Sequence, residues 1–346
     1  MNKIAKYLFI ILGLEKIRLL KKIYYSFFYY IIFLLNSYKK KIDVKIKRPV
    51  KNFLLISQIQ RSGGTLLTQL LDGHKNLSVH PYELILTDPK WDWEKKKNFY
   101  CYNNKFRIFS EEGKYFKSSK ASWNKKYDFN FDLIKQRKIF DRLTKKNDNF
   151  GVKLINYFLS FFMSFENYKT ELNLSKYFVA FVPRLTMNDK SLDIFFKNFH
   201  EGKIICIVRD PLNWLSSAKR HSKDYSNLND ALNLWHESNL KNFNLFKKNK
   251  NSVKIVIFEH LISETKIQMK EISNFLEIDF DDYLLIPTFN KEKILSDSSF
   301  KTVEGKIDIN TLYRKKIDAE EFLQNVDKST IQKCEQLYHN IIAELR

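Results

Sequence analysis

The stretch that most narrows the possible folds is "NFLLISQIQRSGGTLLTQLLDGH", residues 52–74. An apolar run meets two adjacent glycines and then an amphipathic segment, a pattern that predicts a buried strand over 52–58, a tight turn, and a helix over 64–73. Gly63 and Gly64 let the backbone bend sharply and let a ligand approach it closely. Ser62 and Thr65 set hydroxyls beside the first N–H groups of the helix, which have no partner within it. The helix dipole adds a partial positive charge and Arg61 a full one, so a phosphate or sulfate is the natural guest of this turn.

Beyond residue 50 the chain alternates between short apolar runs and amphipathic segments. Strands are predicted at 52–58, around 150–155 ("FGVKLI"), around 177–183 ("YFVAFVP"), at 203–209 ("KIICIVR") and at 253–258 ("VKIVIF"). Helices are predicted at 64–73, 188–199, 211–222, 229–248 and 264–276, the last with Ser263 as its N-cap. Runs that are apolar on both faces imply a parallel sheet covered by helices. The fold class is therefore α/β, a three-layer parallel sheet flanked by helices, with ligands beyond the carboxyl ends of the strands. The polar, aromatic, lysine-rich stretch from about 84 to 148 follows no such pattern and reads as an insertion that caps the site.

Composition bounds the function classes. The 346 residues carry only six prolines and eight glycines, with no linker dividing them, so residues 50–346 read as one large domain. A formal charge of +21 suits a polyanionic ligand, nucleic acid or anionic lipid. Its lysines are spread along the chain without a nucleic-acid-binding signature, and no nucleic-acid role is expected. Cys101, Cys206 and Cys334 are too far apart for a disulfide framework or a metal cluster, which points to a reducing, cytoplasmic setting; Cys206 reads as core. The seven histidines show no ligand spacing, and no metal is expected.

Residues 1–49 form a separate basic, aromatic-rich helical segment. Its apolar blocks, "YLFIILGL" and "IYYSFFYYIIFLL", are each shorter than the ~20 residues of a spanning helix, and no signal-peptide cleavage site follows the first. Two readings stay open: an interfacial helix against the anionic inner face of a membrane, or helices packed on the core or on another subunit.

A second stretch, "KIICIVRDPLNWLSSAKRHS" (203–222), places Arg209 at a strand end and Asp210-Pro211 at favoured positions for a helix start. Ser217 lies eight residues after Arg209, two helical turns along, where it can face back toward the strand end. Arg209 and Ser217 could grip one phosphate together; read alone, the stretch better suits a salt bridge of Arg209 with Asp210 or a neighbour and a packing role for Ser217.

The two stretches together resemble the PAPS-dependent sulfotransferases, which move a sulfuryl group from 3'-phosphoadenosine 5'-phosphosulfate to an acceptor. The resemblance covers roughly residues 50–310 and implies a P-loop-like nucleotide-binding fold, PAPS as donor and PAP as product. It gives the "RSGGT" loop, Arg61, Ser62, Gly63, Gly64 and Thr65, to the 5'-phosphosulfate, with Gly64 standing where many members have Thr. It gives Arg209 and Ser217 to the 3'-phosphate. It places Phe258, in "IVIFEHL", near the adenine, and Ser299 and Lys301, in "SDSSFKTVEGKID", in a loop over the nucleotide. The loop style is closer to the carbohydrate and tyrosine branch than to the small-phenol branch, which implies an acceptor hydroxyl on a glycan or lipid-linked glycan.

Sulfuryl transfer in line between two oxygens needs positioning and stabilisation of the leaving 5'-phosphate more than covalent help. The loop amides and Arg61 supply the stabilisation without a metal. Glu83, in "VHPYEL", is the candidate base for the acceptor hydroxyl, with His80 as runner-up. Lys153, in "FGVKLI", resembles the family's lysine at the bridging oxygen. Two other classes compete: a P-loop kinase, which lacks its Gly-Lys-Ser/Thr here, and a non-catalytic nucleotide-binding protein.

Overall fold

A computed structural model of the chain describes residues 52–84, 86, 115–116, 127–294, 305–307 and 326–346. The segment 1–49, Cys101, Ser299, Lys301 and most of the stretch from 85 to 126 lie outside the described residues. The longer elements, in chain order, are β1 (Asn52–Ser57), α1 (Gly64–Leu71), β2 (Leu77–Glu83), α2 (Leu133–Leu143) and α3 (Phe150–Ser164). They continue with β3 (Tyr177–Phe181), α4 (Asp189–Asn198), β4 (Lys203–Val208), α5 (Pro211–Lys219) and α6 (Leu228–Lys248). The last are β5 (Val253–Ile257), α7 (Phe258–Ser263), α8 (Thr265–Leu276) and α9 (Lys328–Leu345). Two units divide the chain: one comprises 1–46, 92–116 and 126–168, the other 47–91, 117–125 and 169–346.

The larger unit is built on a five-stranded parallel sheet in the order β2-β3-β1-β4-β5. Its strands alternate between two apolar faces. Leu54, Ile56, Val179, Phe181, Ile205, Ile207 and Val256 pack with Leu66, Leu67 and Leu70 of α1 and Met269 and Ile272 of α8. On the other face Phe53 meets Phe178 and Phe199, with ring centroids 5.5 and 4.6 Å apart. Because both faces are buried, helices cover both, and the sheet is the middle of three layers. Each large side chain withdrawn from water contributes roughly 1.5–3 kcal/mol. Cys206 sits in this core, fully buried, and burial pushes its thiol up to about 12.

In the smaller unit, Tyr115–Phe116 pairs antiparallel with Tyr127–Asp128, and Phe131 bridges Phe165. Asp132 caps α2 by accepting from Lys135 N at 2.9 Å. The aromatic rings of Phe129 and Phe165 meet edge to face, 4.7 Å apart.

Several sequence expectations need correction. "FGVKLI" is the first part of helix α3, not a strand: Asn149 caps it, accepting from Val152 N at 2.9 Å, and the buried Leu154, Tyr157, Phe158, Phe161 and Phe162 follow helical spacing. A short apolar run cannot by itself distinguish the two states. Lys153 is therefore a buried helical residue of the smaller unit, not a residue of a strand. "LSVHPYE", which is not among the predicted strands, is strand β2. Its Pro81 is tolerated because β2 is at the sheet edge and its register shifts between Val79 and Glu83. Ser263 does not cap α8 but ends α7, its hydroxyl donating to the Glu259 carbonyl at 3.0 Å.

Candidate functional site

The glycine turn joins β1, at the centre of the sheet, to α1, so it lies beyond the carboxyl ends of the strands. Its backbone is unusual: Arg61 has φ 75° and Gly63 φ 107°, in the left-handed region. A Cβ on Gly63 would lie 2.3 Å from Cδ2 of Phe258, so the ring occupies the room a side chain would need. A Cβ on Gly64 would lie 2.6 Å from Cε2 of Phe181 and 2.9 Å from Cδ of Gln58. The glycine that stands in place of the family's Thr is thus set by two neighbours, and Gln58 Oε1 accepts from Gly64 N at 2.6 Å.

Residues that sequence reasoning passed over hold the turn in place. The Gln58 carbonyl accepts from Arg184 N at 2.8 Å, and the Gln60 carbonyl accepts from Trp214 Nε1 at 2.7 Å. Gln60 Oε1 accepts from Arg184 Nε at 2.7 Å and from the Tyr225 hydroxyl at 3.3 Å. Glutamines at two alternate positions just after a strand, and a tryptophan one turn into the next motif's helix, were the available signals.

The second motif closes on the first. Arg209 Nη1 donates to the Arg61 carbonyl at 2.8 Å, and Arg61 Nε donates to Ser217 Oγ at 3.3 Å. Asp210 caps α5, its Oδ1 accepting from Leu212 N and Asn213 N at 3.1 and 2.8 Å; it makes no ion pair with Arg209. Arg209 is buried, and its guanidinium lies 4.4 Å from the centroid of the Phe258 ring. Phe258, itself buried, is wedged between Gly63 and Arg209 and gauges the distance between the motifs.

The electrostatics suit an anion. Burial pushes the Arg209 pKa down to about 10, an effect to which the charges of Arg61 and Arg220 add, while Glu259 and Asp210 oppose it. Arg209 Nε and Ser62 Oγ are buried with no hydrogen-bond partner among the described residues. A buried donor left unpaired is costly, and a phosphate oxygen would satisfy it.

Glu83 ends β2 and is exposed, in register with Phe181, whose ring abuts Gly64. His80 is fully buried, and burial lowers its pKa to about 4; its Nδ1 lies 2.9 Å from the Tyr82 carbonyl oxygen. Among the described residues no group of three or more His, Cys, Asp or Glu could hold a metal, and no helix is long and apolar enough to cross a membrane.

A glycine turn at a central strand, two arginine contacts that join it to the second motif, and a covered parallel sheet define a P-loop-like fold. The chain belongs to the sulfotransferase family, whose pattern matches residues 55–282. No curated protein matches it. Solved structures similar to it include the sulfotransferase domain of the olefin synthase of Synechococcus PCC 7002, 20% identical, covering 87% of this chain and 98% of that one with a TM-score of 0.45. Another is the sulfotransferase domain from the curacin biosynthetic pathway, 18% identical, covering 83% and 97% with a TM-score of 0.45. A third is a sulfotransferase of Mycobacterium avium, 12% identical, covering 68% and 66% with a TM-score of 0.39.

Proposed function

We propose that the chain transfers a sulfuryl group from PAPS to an acceptor hydroxyl, of a glycan or a lipid-linked glycan, by in-line displacement. The observation that carries this reading is the pairing of two buried, unsatisfied donors, Ser62 Oγ and Arg209 Nε, on motifs that touch each other through Arg61. Arg61, Ser62, Gly63 and Thr65 would take the 5'-phosphosulfate, whereas the Gly64 amide is already engaged by Gln58. Arg209 and Ser217 would take the 3'-phosphate. As the S–O bond to the 5'-phosphate breaks, negative charge grows on that phosphate, where Arg61 and the helix terminus stabilise it. Glu83 would accept the proton of the attacking hydroxyl, since it is the exposed carboxylate at the strand end facing this turn's neighbours.

The test compares PAP with ADP, which lacks the 3'-phosphate. At 100 times its Kd, PAP should stabilise the protein by about 2.7 kcal/mol, while ADP at the same concentration does much less. In Arg209→Ala the PAP shift should collapse toward that of ADP. Equal shifts from both nucleotides in the unaltered protein would refute the assignment.

A further inference from the structure

Arg209 has a carboxylate for a near neighbour and yet does not pair with it. Glu259, at the start of α7, is half-buried and close enough to Arg209 that each charge affects the other's titration. Its carboxylate is instead occupied elsewhere: Oε1 and Oε2 accept from Asp210 N at 3.3 and 3.2 Å, and Oε2 accepts from the Tyr338 hydroxyl at 3.0 Å. Tyr338 comes from α9, beyond the segment that the family pattern covers. Burial raises its pKa, and the Glu259 charge raises it further, so the hydroxyl remains a donor. Arg209 meanwhile spends Nη1 on the Arg61 carbonyl and keeps Nε without a partner.

We infer that Tyr338 is a positioning residue: by holding the Glu259 carboxylate against the Asp210 amide, it keeps that carboxylate off Arg209 and leaves the guanidinium open to the 3'-phosphate. A buried arginine beside a half-buried carboxylate gains from pairing unless the carboxylate is satisfied otherwise. Remove the phenolic donor and the carboxylate has reason to turn toward Arg209, where it would compete with the nucleotide as an internal anion. This inference rests on the proposed role of Arg209.

The experiment measures PAP and ADP affinity by calorimetry on the full chain and on Tyr338→Phe, Glu259→Gln and the double variant. Tyr338→Phe should weaken PAP about tenfold and leave ADP nearly unchanged. Glu259→Gln should bind PAP at least as well as the parent, because a neutral amide cannot neutralise Arg209. The double variant should return to parental PAP affinity, a rescue that loss of packing would not produce. An unaltered PAP affinity in Tyr338→Phe, equal losses for both nucleotides, or a double variant no better than Tyr338→Phe would each overturn the inference while the site assignment stands. A parent protein that does not prefer PAP to ADP overturns the site assignment and the inference together.

Discussion

Replacing Gly63 by alanine puts the geometry of the turn to a quantitative test. At φ 107° an L-residue is strained by roughly 1–3 kcal/mol. The new methyl would also lie 2.3 Å from Cδ2 and 2.5 Å from Cε2 of Phe258, so the ring must retreat. Overpacking of this kind typically costs about 1–3 kcal/mol. Because Phe258 lies under the Arg209 guanidinium, its retreat also removes a cation–π contact of about 0.5–2 kcal/mol. Together Gly63→Ala should lose about 2.5–8 kcal/mol, a large share of the stability of an ordinary domain. Urea denaturation of Gly63→Ala, Phe258→Leu and the double variant separates the contributions. Phe258→Leu makes room, so the alanine should cost about 1–2 kcal/mol less in that background. Gly73→Ala supplies the control: its φ is 87°, but its nearest foreign atom, Thr288 Oγ1, is at 3.3 Å, so it should show mostly the backbone cost. If Gly63→Ala costs no more than Gly73→Ala, and Phe258→Leu brings no relief, the wedge between the motifs is not there.

Two further outcomes are expected. His80 has a folded-state pKa of about 4 against an ordinary 6.5, so the stability linked to its neutral form is present above pH 6.5 and lost as pH falls toward 4, by about 3 kcal/mol; His80→Asn, followed by urea melts from pH 7 to 4, should remove that part of the acid sensitivity, and an unchanged slope would refute it. Glu83→Gln should lower turnover by roughly 10²–10⁴-fold with PAP affinity preserved, whereas near-normal turnover would exclude a carboxylate base at this position.

The glycine turn and the arginine motif were legible because their residue types are dictated locally: a positive φ asks for glycine, and a helix start after a strand asks for Asp-Pro. The central strands were legible for the same reason, since burial on both faces leaves continuous apolar runs. What sequence could not give was partnership across the chain. Nothing in "IVIFEHL" says that the Phe258 ring is consumed between Gly63 and Arg209, which leaves little of it for an adenine. Nor does anything near Arg209 announce Tyr338. "FGVKLI" misled because its first six residues hold too few turns to reveal a helical period, which appears only when the run is followed to Ser164. "LSVHPYE" is absent from the predicted strands although it forms one: its apolar positions are few, and its proline fits only because β2 is an edge strand.

The strand order has a consequence for biosynthesis. β1, whose end carries the glycine turn, lies between β3 and β4, and both of these follow it far down the chain. During translation Asn52–Ser57 leaves the ribosome with neither hydrogen-bonding edge covered, and Phe53, Leu54, Leu55 and Ile56 with no layer on either side. At roughly 5–20 residues per second the wait until Tyr177–Phe181 emerges lasts on the order of ten seconds, and β4 comes later still. For that interval this apolar ribbon is an open template for any passing strand, so a nascent chain stalled before Tyr177 should be captured by holdase chaperones, and one stalled past Val208 should be released.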